Sequence, residues 1–340
     1  MNKEIWCLCP PSYYGSRCQY QNERVSLTIQ FRQEVGFPWN TVLTIVFNLI
    51  DNDEHHIESF DQIIYVPTRD CSAKFNIYLL YSKRPKLTRG NSTNYSIRID
   101  AYNTHDLSHH ATWYLEIPLQ FLPVNRISTQ LNMAARAIRT YLVPSRCVHG
   151  RQVDIENSSR LTLCLCDSGW SGRRCDIEQK CDCSSESWCV GKTNNNRSIC
   201  VCPLGKFGRR CRLQITSCTR NTCQNGGHCV PFDQRISTRN FTCLCAAGYF
   251  GVFCEHMKRK VQIFFTDGLN IPTAIIAHVI LVPDKSVAPI RITSFQRSKI
   301  DEDFISLFLN FEYHPRSITT NAVKSSYIRR KRRFCCSFSP

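Results

Sequence analysis

Apolar and polar residues alternate along Val25-Ser-Leu27-Thr-Ile29-Gln-Phe31, a period of two that predicts a strand with one buried face. Phe75, Ile77, Leu79 and Tyr81 alternate in the same way, as do Tyr95, Ile97, Ile99 and Ala101. Thr41–Ile50 and Thr273–Val282 are largely apolar but too short to cross a membrane, so they read as buried strands. Thr112–Phe121 adds a further strand. Several short strands over about 100 residues are the pattern of a β-sandwich. Ser128–Leu142 sets Leu131, Ala135, Ile138 and Leu142 on one helical face and predicts a helix.

The strand pattern occurs twice. Arg24-Val25-Ser-Leu27-Thr-Ile29 matches Lys260-Val261-Gln-Ile263-Phe-Phe265, and Thr41–Ile50 matches Thr273–Val282. Lys74-Phe75-Asn-Ile77-Tyr-Leu79 matches Asp303-Phe304-Ile-Ser-Leu307, and Arg84-Pro85 matches His314-Pro315. Nothing after Pro315 resembles Tyr95–Ala101 or Thr112–Phe121, so the second copy reads as shortened.

Cysteine changes this picture. Of 22 cysteines, 16 lie between Cys147 and Cys254, whereas only Cys71 falls between residues 19 and 146. The first region can bury a core; the second must rely on cross-links. Dense, regular cysteines without CxxC pairs point to an oxidising compartment. Cys-x-Cys and Cys-x8-Cys are poor zinc spacings, since zinc ligand pairs are separated by two to four residues.

The clearest copy runs Cys218, Cys223, Cys229, Cys243, Cys245, Cys254, with Cys-Gln-Asn-Gly-Gly-His-Cys at 223–229, Phe-Thr-Cys-Leu-Cys at 241–245, and Gly248-Tyr249 and Gly251 before Cys254. These motifs, over about 40 residues, resemble the epidermal growth factor-like (EGF-like) domain family. Six cysteines allow 15 pairings. The resemblance implies Cys218–Cys229, Cys223–Cys243 and Cys245–Cys254. A second copy then pairs Cys181–Cys189, Cys183–Cys200 and Cys202–Cys211, with Lys206 where the family has an aromatic residue. A third lacks two cysteines that bond each other in the family, leaving Cys147–Cys164 and Cys166–Cys175. Cys7 to Cys18 resembles the second half of a module, with Cys9–Cys18 paired and the partner of Cys7 expected upstream.

The expected fold is mainly β, with small disulfide-rich modules alternating with β-sandwich-like domains. Its order is half a module (1–19), a β-rich domain (20–125), a helical linker (126–146), an incomplete module (147–176), two modules (177–212 and 214–255), a second, shortened β-rich domain (256–318) and a basic tail (319–340). No signal peptide opens the chain and no apolar run reaches 18 residues. A disulfide protein needs the secretory route. The expectation is therefore a fragment of a longer extracellular or cell-surface chain, whose membrane anchor lies outside it.

With 43 Lys plus Arg against 27 Asp plus Glu, the formal net charge is +16. Such a surface favours acidic partners, and the compartment favours an acidic glycan or an extracellular protein over nucleic acid. Arg173-Arg174 and Arg209-Arg210 precede the last cysteines of successive modules and suggest a basic stripe. Asn91, Asn94, Asn157, Asn196 and Asn240 head glycosylation sequons. Calcium-binding members of the family carry an acidic run before the first cysteine; Leu213–Ser217 has no carboxylate, and Asp176 and Glu178 before Cys181 are a shifted, incomplete match. No cofactor is expected, calcium at the Cys181 module being the one alternative.

Catalytic chemistry finds little support. His105-Asp-Leu-Ser-His109-His110 lacks the glutamate of His-Glu-x-x-His and lies between two strands. There is no Gly-x-Ser-x-Gly elbow, phosphate loop or dinucleotide fingerprint. Cys71 reads as a buried thiol or a bridge rather than a nucleophile, and Trp170, Tyr249 and Phe250 as aromatics packed on their own modules. Arg329-Arg-Lys-Arg-Arg333, followed by Cys335-Cys336, reads as a solvated basic tail. Taken together these features predict a non-enzymatic ectodomain of receptor, adhesion or matrix type. The alternatives are a secreted growth-factor-like ligand precursor and the non-catalytic part of an extracellular enzyme.

Overall fold

The computed structural model describes residues 7–10, 12–34, 37–38, 40–52, 56–81, 95–117, 123–134, 147–218, 222–232, 240–246, 248–264, 274–281, 290–297, 304–309 and 317–322. They divide into two compact units, one holding Met1–Ser217 and Val230–Asn240, the other Cys218–Cys229 and Phe241–Phe334. The protein is mainly β. No described helix is long and apolar enough to cross a membrane.

The first unit opens with a small hairpin of β1 (Tyr13–Tyr14) and β2 (Tyr20–Gln21). The first β domain follows: β3 (Arg24–Gln33), β4 (Leu43–Asp51), β5 (His56–Tyr65), the single helical turn α1 (Pro67–Asp70), β6 (Phe75–Leu80), β7 (Tyr95–Asn103), β8 (His109–Glu116) and β9 (Val124–Met133). Two sheets face each other. One has the order β6-β3-β9 and the other β5-β4-β7-β8. All neighbours are antiparallel except β3 and β9, which run parallel.

Alternation produces the core. Val25, Leu27, Ile29 and Phe31 of β3 point inward, as do Leu43, Ile45, Phe47 and Leu49 of β4 and Ile97, Ile99 and Ala101 of β7. Trp113 is fully buried beside Phe31, with ring centroids 5.8 Å apart. Each such side chain removed from water contributes roughly 1.5–3 kcal/mol before entropy is counted. β4 is buried along nearly its whole length, on both faces, which is why Thr41–Ile50 shows no alternation.

The helix expected over 128–142 is not what residues 128–133 form. They belong to β9, where Asn125, Leu131 and Met133 are buried and Arg126, Ser128, Gln130 and Asn132 are exposed. That is a period of two, fixed by ten parallel pairs with β3 from Arg24↔Val124 to Gln33↔Met133. Leu131 satisfies both patterns; the ladder decides between them. Residues 135–146 lie outside the described set. β5 has no counterpart among the expected strands.

Small hairpins carry the cysteines. They are β10 (Gly150–Ile155) with β11 (Ser158–Cys166), β12 (Trp170–Ser171) with β13 (Ile177–Glu178), β14 (Trp188–Lys192) with β15 (Ser198–Val201), and β16 (Lys206–Phe207) with β17 (Leu213–Gln214). The module from Cys218 to Cys254 has β18 (His228–Pro231), β19 (Phe241–Leu244), β20 (Tyr249–Phe250) and, just after it, β21 (His256–Met257). One turn recurs at the end of every module: the amides of Cys18, Cys175, Cys211 and Cys254 donate to the carbonyls of Gly15, Gly172, Gly208 and Gly251. Gly251 has φ 105°, a conformation that side chains disfavour. Gly150 serves a different need, since a Cβ there would lie 2.3 Å from the Leu165 carbonyl oxygen across the hairpin.

The second β domain contains β22 (Arg259–Phe264), β23 (Ala274–Leu281), β24 (Ile290–Arg297), β25 (Phe304–Leu309) and β26 (Ser317–Ala322). Its pairing repeats the first domain. β22 pairs with β25 as β3 pairs with β6, and β24-β23-β26 repeats β5-β4-β7. β26 therefore stands where β7 does, although nothing after Pro315 was expected to match Tyr95–Ala101. Ser-Ile-Thr-Thr-Asn-Ala has one large apolar residue, so it carries no alternation to read; its register against β23, from Ile275↔Ala322 to Ile280↔Ser317, identifies it.

Candidate functional site

In the first unit, the outer face of the β5-β4-β7-β8 sheet is covered by the incomplete module (147–176) and the module that follows it (177–212). Val46 and Tyr102 from the sheet form an apolar cluster with Leu165, Ile199 and Val201, joined by Ile57, Phe60, Val153, Trp188 and Val190. Backbone bonds tie the surfaces together: Glu156 N donates to Thr112 O (2.8 Å), Asn194 N to Ile57 O (2.9 Å) and Leu204 N to Thr104 O (2.9 Å). Asn157 clasps Tyr114 from both sides, accepting from its amide (3.0 Å) and donating to its carbonyl (2.6 Å).

A buried polar group sits inside this seam. Arg98 Nε lies 2.8 Å from Asp100 Oδ2, and Arg98 Nη1 donates to the Cys164 carbonyl at 3.0 Å. Thr112 Oγ1 donates to Asp100 Oδ1 (2.6 Å), and a ring nitrogen of His109 lies 2.8 Å from Thr112 Oγ1. Burial, aided by Arg98, Arg151 and His110 and opposed by Asp100, lowers the His109 pKa to about 4. The imidazole is therefore neutral at pH 7. Burial, then Asp100, raises the pKa of the Tyr102 phenol.

The second module (177–212) carries a cleft of about 630 Å³. Arg197, Arg209, Arg210 and Arg212 line it with Asp182, over Phe207 and Leu213. Disulfides Cys183–Cys200 and Cys202–Cys211 fix the segments that bear them. Asp182 bridges two guanidiniums, at 2.8 Å from Arg210 Nε and 2.6 Å from Arg212 Nη2. The Arg197 guanidinium lies 5.3 Å from the centre of the Phe60 ring, and its pKa is lowered by burial and by the charge of Arg209. Four guanidiniums against one carboxylate leave a site that attracts anions.

Of the four arginines expected to form a stripe, the cleft takes Arg209 and Arg210; Arg173 and Arg174 are exposed but do not line it. Sequence reasoning missed Arg197, Arg212 and Asp182. Asp182 adjoins Cys183 and Arg212 follows Cys211, which ties both to the disulfide frame, whereas Arg197 carries no such local signal.

The structure pairs Cys9–Cys18, Cys147–Cys164, Cys166–Cys175, Cys181–Cys189, Cys183–Cys200, Cys202–Cys211, Cys218–Cys229, Cys223–Cys243 and Cys245–Cys254. Cys71 is disulfide-bonded rather than a thiol, and Cys7 is free and exposed. The sulfur atoms of Cys181, Cys183 and Cys189 lie within 4.8 Å of one another, but all three are oxidised and offer no thiolate to a metal.

His105 is in a turn, whereas His109 and His110 are successive residues of β8 and so face opposite ways, with no helical pair of ligands. Asp176 and Glu178 are exposed and belong to no three-ligand cluster among the described residues. Trp170 stacks on His149 at 3.5 Å and Phe250 packs against His256 at 5.2 Å, while Tyr249 is half-buried. Among the sequons, Asn157, Asn196 and Asn240 are exposed, and Asn196 accepts from Lys192 Nζ. A glycan on Asn157 would compete with its bonds to Tyr114. Asn91, Asn94, Arg329–Arg333, Cys335 and Cys336 lie outside the described residues.

Residues 218–253 match the family model of the EGF-like domain. The protein therefore contains an EGF-like domain within a disulfide-rich chain. That combination is typical of extracellular and cell-surface proteins with a binding role.

Proposed function

We propose that this chain is part of the non-enzymatic ectodomain of a receptor, adhesion or matrix protein that engages an extracellular protein or an acidic glycan. The observation that carries this reading is the docking of two disulfide-framed modules on the sandwich face. The apolar seam between Val46, Tyr102, Ile199 and Val201 makes a rigid unit from parts that would otherwise hinge. Rigid spacing suits a protein whose work is to present surfaces, and the cleft on that unit is a surface of defined charge. EGF-like domains serve many roles, so the reading rests on this arrangement rather than on the family.

The test is binding of the purified, oxidised full chain to intact cells. Saturable binding that protease or glycan-lyase treatment of the cells removes supports the reading. Absence of saturable binding to any cell type, together with turnover of a substrate by the purified chain, would replace it with an enzymatic one.

A further inference from the structure

We propose that the Arg197–Arg209–Arg210–Arg212 cleft is a binding site for a sulfated polysaccharide. The inference deepens the proposed function and rests on the chain working outside the cell.

The charge is arranged rather than merely abundant. Asp182 engages Arg210 through Nε and Arg212 through Nη2, which orients both guanidiniums and leaves further N–H donors on each. Among the described residues, neither Arg197 nor Arg209 has such a bridge. Burial, and then the charge of Arg209, raises the cost of charge on Arg197, and an anion beside it relieves that cost. Sulfate oxygens accept paired N–H bonds in the geometry a guanidinium offers.

The cleft's size and floor choose the kind of anion. A lone inorganic anion would engage part of a space of about 630 Å³ lined by four arginines. A polymer with sulfates at intervals can meet several at once. Phe207 and Leu213, paired across β16 and β17, give an apolar strip among the charges, suited to the faces of sugar rings. The turns are locked by Cys183–Cys200 and Cys202–Cys211, so little ordering is needed on binding. Anionic phospholipid and acidic peptides share the charge but lack a stiff sequence of rings and sulfates.

The experiment uses the full chain expressed through a secretory route. Its disulfides are counted by mass before binding to heparin oligosaccharides and to desulfated oligosaccharides of the same length. The variants are Arg197→Gln with Arg209→Gln, and Arg173→Gln with Arg174→Gln. Both remove two charges, but only the first touches the cleft. The expected result is sulfate-dependent binding that the first variant weakens about tenfold or more and the second about threefold or less. Equal losses in the two variants would reduce the effect to net charge and overturn the site. So would equal binding of desulfated chains, or preference for vesicles of anionic phosphatidylserine. A chain that emerges reduced overturns the extracellular reading and this inference with it. An oxidised chain that ignores heparin overturns only the cleft.

Discussion

The first β domain and the cysteine modules beside it reach order by different means. The sandwich holds its sheets together with a continuous apolar core from Val25 to Met133. The modules have two-stranded hairpins and few buried side chains, and depend on cross-links that reduce the freedom of the unfolded chain. The two regions then share the outer face of β4. A strand that would be half-wet in an isolated sandwich is buried on both sides because the modules cover it. A binding surface built on modules alone would move with them, whereas here it is braced by a core.

The largest effect expected is on the core. Trp113→Ala should cost about 3–5 kcal/mol in denaturant unfolding of the full chain, with disulfide content unchanged. A cost below about 1 kcal/mol, the range of a surface substitution, would mean that the sandwich is not packed as described. Removal of Cys202 and Cys211 together should cost about 2–4 kcal/mol, read as faster amide exchange in β16 and β17 while β3 and β7 stay protected. Loss of protection throughout would contradict a division of forces between the regions.

The seam itself should be pH-sensitive. His109 has a folded pKa of about 4, below the ordinary 6.5. Its neutral form contributes fully above pH 6.5, and stability falls as pH drops from about 6.5 to about 4, because the unfolded chain then takes a proton that the folded chain refuses. The full loss is on the order of 3 kcal/mol. In His109→Gln the same pH range should show a shallower slope, measured as the difference between the two unfolding curves. Identical slopes would remove His109 from the account.

Legibility in the sequence followed locality. β3, β6 and β7 could be read from alternation, and β4 from its largely apolar run. β5 could not, because Glu58 and Asp61 interrupt its pattern, although Glu58 is buried in the fold. β9 was read with the wrong period, since Leu131 fits both and the parallel partner lies about 100 residues away in sequence. β26 is recognised only by its neighbour β23. The cleft was half legible. Arg209-Arg210 is a visible pair, whereas Arg197, Arg212 and Asp182 meet because the disulfides fold their turns together, and no local pattern records that.

Hydrogen exchange of the full chain before and after reduction shows whether core burial holds one region and cross-links the other. β3, β4 and β7 should keep their protection while β14 and β15 lose theirs. Simultaneous loss in both regions, or protection of β14 and β15 without their disulfides, would contradict that division.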